Sequence, residues 1–140
     1  MKKIILASAS RRRKSILTEC GIEHRVETSG VSEITGTAGE ADRVVTANAQ
    51  AKASSVARNH GKGYVVIGAD TLVVCGDRLI GKPSSEEEAR GLLLDFSGRE
   101  IEVLTGLHVI ETGTGRAAGG YEKTTVRTVE LSADEAGLFF

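Results

Sequence analysis

Basic and hydroxyl side chains are concentrated at one point near the start of the sequence. Ser8 and Ser10 are followed directly by Arg11, Arg12 and Arg13. Cations in the first turn of a helix oppose the helix dipole, so this cluster predicts an anionic partner. Guanidinium groups, hydroxyls and free backbone N–H groups together suit a phosphate. The alternative is a solvated basic helix start in which Ser10 acts as the N-cap.

The pair Asp70-Thr71 is a second candidate for chemistry. It follows the most apolar segment of the sequence, residues 64–69, which predicts a buried strand. We therefore expect Asp70 just beyond a strand end, where ligands of open α/β sheets bind. A carboxylate there can hold a divalent cation or accept a proton from water. The alternatives are an aspartate that shapes a turn and one that caps a helix.

A third motif, from Gly76 to Lys82, matches the G-x-x-x-x-G-K pattern of a phosphate-binding P-loop. Pro83, however, stands where a P-loop needs a magnesium-binding serine or threonine, and proline has no backbone N–H. Residues 78–80 also predict a hairpin strand rather than a flexible loop. A P-loop is therefore not expected, and Lys82 is either a cation directed at a phosphate or a surface lysine.

Two single residues complete the set of candidates. Lys52 lies on the apolar side of a predicted helix, because Val45 and Val56 share its face. Such a lysine either extends its ammonium group to solvent or lines a site. Glu33 lies in a polar loop, where a solvated carboxylate is the alternative interpretation. The histidines share no metal-ligand spacing and are interpreted as structural: His24, His60 and His108.

Signals for both strands and helices occur along the chain. The capping boxes formed by Ser84 with Glu87 or Ser85 with Glu88, and by Ser132 with Glu135, mark the starts of the last two helices. The first helix runs from Ser10 to a glycine cap at Gly21, the second covers 40–59, and the third ends at Gly98. The predicted strands are 3–7, 22–28, 64–69, 72–75, 78–80, 101–112 and 122–131, with a glycine-rich turn at 113–120 between the last two.

Composition excludes several classes of protein. The chain has 140 residues, of which 40% are hydrophobic and 26% charged, as expected for one domain that folds without disulfides or metal. The net charge of −1 gives no global attraction to nucleic acid, so any anion site must be local. No apolar run approaches the roughly 20 residues that span a bilayer. Cys20 and Cys75 show no zinc or redox spacing, and we expect both to be reduced and buried.

Considered together, these motifs resemble the Maf family of nucleoside triphosphate pyrophosphatases. The resemblance covers essentially the whole chain in order and spacing. It rests on Leu6-Ala7-Ser8-Ala9-Ser10-x-Arg12-Arg13, Glu33, Lys52-Ala53, Gly68-Ala69-Asp70-Thr71, Gly81-Lys82-Pro83, and Ser97-Gly98-Arg99 with Thr105-Gly106. It implies a mixed-sheet α/β fold of the inosine-triphosphate-pyrophosphatase type, with a cleft between two lobes. It also implies a cytoplasmic enzyme that hydrolyses a nucleoside triphosphate between the α and β phosphates, with magnesium or manganese as cofactor.

The resemblance also assigns roles to individual residues. Asp70 becomes the catalytic proton acceptor, and Glu33 joins it at the metal. The substrate-binding residues implied are Ser8, Arg12, Arg13, Lys52, Thr71 and Lys82, with Arg12 and Thr71 among those that set substrate choice. The stretch Gly68-Ala69-Asp70-Thr71 is similar to the one found in the family branch that acts on dTTP and UTP. The branch that acts on 7-methyl-GTP has a Ser-Asp-Gln variant at this place.

Two departures from the family pattern affect these expectations. Arg11 stands where the family usually has proline, which adds a charge beside the site. The sequence also stops before the stretch Lys-Ala-Gly-Ala-Tyr-x-x-Gln-Gly, so we expect a single domain, 1–140, without the C-terminal segment of the family. Exposed Leu138, Phe139 and Phe140 would then favour a homodimer or aggregation. The alternative function is a non-catalytic, nucleotide-binding regulatory protein linked to septum formation.

Overall fold

The computed structural model describes residues 1–137, so the predictions for Leu138, Phe139 and Phe140 lie outside the described residues. Both strands and helices are present as predicted, and a short 3₁₀ turn, Ala38–Glu40, precedes the second helix. The strands are β1 (Lys3–Leu6), β2 (Arg25–Val26), β3 (Tyr64–Cys75), β4 (Arg78–Ile80), β5 (Glu100–Glu111) and β6 (Ala117–Arg127). The helices are α1 (Arg11–Glu19), α2 (Ala41–Ala57), α3 (Glu86–Phe96) and α4 (Ala133–Gly137).

The strands form one mixed sheet in the order β2-β1-β3-β5-β6, with β4 paired to β3. β1 runs parallel to β2 and β3, whereas β5 runs antiparallel to both of its neighbours, β3 and β6. β1 covers β3 only from Tyr64 to Ile67, and β4 covers it only from Val73 to Cys75. The edge of β3 between these two neighbours is therefore open to side chains and ligands.

Helix α2 packs flat against the centre of the sheet. Its inward face carries Val45, Ala49 and Ala53, each 0% exposed, at the helical spacing predicted from the sequence. Two glycines of the sheet permit this close approach. A Cβ at Gly68 would lie 2.3 Å from the Ala49 carbonyl oxygen, and one at Gly106 would lie 2.2 Å from that of Val45. The helix and its side chains are thus held at a set distance from β3 and β5.

The structure corrects the prediction for Asp70. The chain does not leave the sheet after Ala69, because residues 64–69 and 72–75 belong to the same twelve-residue strand β3. Antiparallel pairing with β5 places Asp70 opposite Gly106 and Thr71 opposite Thr105, and so continues the strand through both polar residues. Asp70 therefore lies in the middle of β3 and beyond the carboxyl end of β1.

Two other strand predictions need correction. The predicted strand 22–28 shortens to Arg25–Val26, and β6 occupies Ala117–Arg127 rather than 122–131. Gly119 and Gly120 lie within β6, and the turn before it is shorter, with positive φ at Gly113 (90°) and Gly115 (74°). Pairing with β5 thus overrides the weak strand propensity of glycine.

Local capping predictions are confirmed. The Ser10 and Ser85 side chains accept hydrogen bonds from the backbone N–H groups of Arg13 and Glu88 and begin α1 and α3. Residues 73–80 form a hairpin turning at Gly76 (φ 62°), which confirms that this motif is not a P-loop.

Both cysteines are free as predicted, but Cys20 is exposed, contrary to expectation, while Cys75 is buried. No helix within residues 1–137 has the length and hydropathy to cross a bilayer.

Candidate active site

A cleft of about 920 Å³ lies at the open edge of β3. Its walls contain every site residue named from the sequence: Ser8, Arg12, Arg13, Glu33, Lys52, Asp70, Thr71 and Lys82. Arg11 also lines it, so five cationic side chains surround two carboxylates. The chain as a whole has a net charge of −1, so this positive charge is local, as the sequence predicts.

Asp70 is buried in the wall of this cleft. The residue is 4% exposed, and each carboxylate oxygen has its own partner. Oδ2 accepts a hydrogen bond from Asn48 Nδ2 at 2.8 Å, and Oδ1 lies 3.4 Å from Lys52 Nζ. A buried carboxylate needs such partners because desolvation disfavours its charged form.

Lys52 joins the two carboxylates of the cleft. Its Nζ lies 2.7 Å from Glu33 Oε1 and 3.4 Å from Asp70 Oδ1, and it donates to the Ala69 carbonyl oxygen at 3.2 Å. Its side chain is only 13% exposed, which confirms the prediction that it lies on the inner side of α2. The three ammonium protons therefore have three acceptors.

Arg13 ties α1 to the open edge of β3. Its Nη1 donates to Ser8 Oγ at 3.1 Å and to the Ala69 carbonyl oxygen at 3.2 Å, while Nη2 donates to Thr71 Oγ1 at 3.0 Å. Burial lowers the pKa of Arg13 from its usual value, and the charges of Asp70 and Glu33 oppose that shift. A guanidinium group nevertheless stays charged at neutral pH. Arg13 thus satisfies one backbone acceptor on the open edge of β3, the Ala69 carbonyl oxygen.

The hydroxyls at the cleft are held by the protein. Ser8 is 8% exposed, and its Oγ also accepts a hydrogen bond from the Ser10 backbone N–H at 3.1 Å. Thr71 Oγ1 lies 3.0 Å from Thr105 Oγ1 as well as from Arg13. Both hydroxyls therefore hold Arg13 in place, in addition to lining the cleft.

Arg12 and Lys82 differ from these buried groups. Both are exposed on the cleft wall, and neither forms an ion pair with another residue within 1–137. Their charges are available to an anion that enters the cleft. The histidines, interpreted as structural from the sequence, lie outside the cleft lining, and His60 Nε2 lies 2.6 Å from Glu27 Oε2.

Sequence reasoning missed Asn48 and did not assign a role to Thr105. Asn48 is 3% exposed and donates directly to Asp70. Its spacing offered a clue, because it lies four residues before Lys52 and therefore on the same side of α2. Thr105 could be placed beside Thr71 only once the register between β3 and β5 was known.

The carboxylates fit a hard divalent cation. Glu33 and Asp70 both contact the Lys52 ammonium group, so the two carboxylates lie close together at the cleft. No group of three or more His, Cys, Asp or Glu residues suited to a metal ion occurs among residues 1–137. Magnesium commonly binds through one or two carboxylates and takes its other ligands from substrate phosphates and water. The donor set of this cleft matches that pattern.

Solved structures of two other proteins share this architecture. A Ham1 protein from Coxiella burnetii superposes with a TM-score of 0.61 at 16% identity, covering 91% of this chain and 73% of its own. A nucleoside-triphosphatase / dITP/XTP pyrophosphatase from Mycobacterium abscessus gives a TM-score of 0.54 at 14% identity, covering 89% and 73%. These similarities confirm the expected mixed-sheet α/β fold.

Sequence comparison identifies closer relatives. A dTTP/UTP pyrophosphatase from Desulforamulus reducens is 41% identical over 135 residues, which are 96% of this chain and 70% of the relative. A protein of the same name from Bacillus thuringiensis subsp. konkukian is also 41% identical, over 96% of this chain and 69% of its own length. The family model for Maf-like protein matches residues 3–138. The chain therefore belongs to the Maf-like protein family.

Proposed function

We propose that this chain hydrolyses dTTP and UTP to the nucleoside monophosphate and pyrophosphate. The observation that carries the proposal is the composition of one cleft, in which Asp70 and Glu33 meet at Lys52 while further cations line the wall. Phosphate transfer requires such a site, since the enzyme mainly positions the reactants and stabilises charge on the phosphate oxygens.

The choice of substrate is supported by the relatives. The two relatives described above are both named dTTP/UTP pyrophosphatases, and each is matched over 96% of this chain. Asp70 and Thr71 both line the cleft. They belong to the stretch whose sequence resembles the dTTP/UTP branch of the family. A pyrimidine nucleoside triphosphate is therefore the substrate to test first.

In this proposal Asp70 is the general base. Its carboxylate accepts a proton from a water molecule as the water oxygen bonds to the α-phosphorus. The bond from that phosphorus to the α–β bridging oxygen breaks, and pyrophosphate leaves with the bonding electron pair. Asn48 and Lys52 hold the carboxylate at the cleft wall while this happens. A general base of this kind typically accelerates the reaction by a factor of about 10²–10⁴.

The cations neutralise the triphosphate. Arg12 and Lys82 are exposed and make no ion pair with other described residues, so they can meet phosphate oxygens directly. Arg13 and Lys52 add positive charge from the buried wall. Glu33 and Asp70 would hold magnesium or manganese. When bound, such an ion supplies Lewis-acid stabilisation of charge on the phosphate oxygens.

The proposal is tested by measuring pyrophosphate and inorganic phosphate separately, with purified protein, magnesium or manganese, and a panel of nucleoside triphosphates. We expect pyrophosphate from dTTP and UTP, and a loss of about 10²–10⁴ in kcat for Asp70→Asn. Asp77→Asn, an exposed change in the β3–β4 turn outside the cleft lining, is the matched control. Nucleotide binding without turnover would contradict the proposal and favour a regulatory role.

A further inference from the structure

The Asn48 side chain joins two separate segments of the chain at the cleft. Its Oδ1 accepts a hydrogen bond from the Ile34 backbone N–H at 2.8 Å. Its Nδ2 donates to the Ile34 carbonyl oxygen at 3.1 Å and to Asp70 Oδ2 at 2.8 Å. Both amide hydrogens and the amide oxygen are therefore engaged.

These partners determine the orientation of the amide. If the group were turned over, Nδ2 would face the Ile34 N–H donor, and the Asp70 oxygen would lose its donor. The residue is also only 3% exposed, so water cannot readily replace these bonds. Asn48 is consequently a rigid link between α2, the loop at Ile34 and β3.

The link has two consequences for the site. With Oδ2 of Asp70 held by Asn48, Oδ1 is the oxygen that lies towards Lys52 and the cleft. The terminal torsion of an aspartate is otherwise broad, so this bond selects one orientation. Ile34 follows Glu33 directly. The same amide therefore also holds the backbone next to Glu33, which carries the second carboxylate of the cleft.

We infer that Asn48 is a positioning residue that presents Asp70 Oδ1 to the reacting water and holds the Glu33 loop beside it. The inference rests on the proposed pyrophosphatase function. It assigns a role in the reaction to a residue that has no charge and that the sequence motifs do not include.

Asn48→Leu is the first test, because leucine has a similar volume and forms none of the three hydrogen bonds. We expect kcat for dTTP to fall about 10–100-fold, the usual loss for such supporting residues, with KM within about twofold. Thr112→Val is the matched control. Thr112 is 7% exposed and lies away from the cleft. Like Asn48, its side chain bonds both backbone groups of one residue: Oγ1 accepts from the Tyr64 N–H at 3.0 Å and donates to the Tyr64 carbonyl oxygen at 3.3 Å. The control should lose stability and keep kcat.

Asn48→Asp is the second test, and it does not depend on a change of shape. The introduced carboxylate faces Asp70 and the Ile34 carbonyl oxygen and has no proton to donate to them at neutral pH. We therefore expect kcat of Asn48→Asp at neutral pH to fall at least as far as in Asn48→Leu, whereas a role in packing alone predicts that this variant of the same shape keeps its kcat.

The outcomes separate this inference from the proposed function. Unchanged kcat in Asn48→Leu or in Asn48→Asp would overturn it even if the unsubstituted protein releases pyrophosphate. If that protein releases none, the proposed function fails, and NMR still decides the positioning. The Asn48 side-chain amide protons should be protected from solvent exchange, and Asp70→Ala should reduce that protection. An amide unprotected in the unsubstituted protein overturns the inference.

Discussion

Replacing Gly106 by alanine tests the idea that close packing of α2 on the sheet sets the geometry of the cleft. Gly106 lies in β5 opposite Asp70. A Cβ on this residue would stand 2.2 Å from the Val45 carbonyl oxygen and 2.9 Å from the Thr46 nitrogen. Both are backbone atoms, so no change of rotamer relieves the clash. To restore a contact of 3.0 Å, α2 must move by about 0.8 Å.

The size of the effect follows from that displacement. Overpacking a core costs about 1–3 kcal/mol and occasionally more, and we expect about 3 kcal/mol here because the obstacle is backbone. For a domain of this size, that corresponds to a fall in Tm of roughly 10 °C. The moved helix also carries Asn48 and Lys52, which lie 2.8 and 3.4 Å from the Asp70 oxygens. A displacement near 1 Å can lower a catalytic rate by about 10².

The assay pairs calorimetry with pyrophosphate release. Gly120→Ala is the control, because Gly120 lies in β6 with no atom within 4 Å of its added Cβ. We expect the control to keep both its Tm and its rate, while Gly106→Ala loses both. If the two variants gave the same Tm and the same rate, the reasoning that backbone contact holds α2 in register with Asp70 would be refuted.

Further predictions concern single side chains. Lys52→Met leaves two carboxylates facing each other, so kcat should fall by at least about 10² in the pyrophosphate assay. Arg12→Ala removes an exposed cation, so KM for dTTP should rise while Tm stays unchanged. Ser85→Ala removes the α3 N-cap and should cost about 1 kcal/mol in denaturant unfolding without changing kcat. The hydrogen bond from His60 lowers the pKa of Glu27, so that carboxylate stabilises the fold above its unfolded pKa, and the contribution is lost as the pH falls through the lowered value. The Tm difference between the unsubstituted protein and Glu27→Gln should therefore be present near neutral pH and vanish in acid.

Local features of the fold were predictable because their causes are local. The N-caps at Ser10 and Ser85 depend on residues within one helical turn. The turn at Gly76 needs a positive φ that glycine adopts without strain. The inward face of α2 follows from the helical period alone.

Strand limits were less predictable because distant pairing determines them. The run of apolar residues stops at Ala69, which suggested a strand end there. The strand instead continues because Asp70 and Thr71 pair with residues of β5 more than 30 positions later in the chain. Gly119 and Gly120 join β6 for the same reason.

Residue types and spacing were enough to identify which side chains could take part in the chemistry. Every site residue singled out in this way, including the isolated Glu33, lines one cleft. The tertiary structure alone decided how they meet. β1 and β4 leave the edge of β3 open between them, and α2 rests on two glycines and brings Asn48 and Lys52 to Asp70. These arrangements depend on contacts between segments far apart in the chain, which neither spacing nor periodicity records.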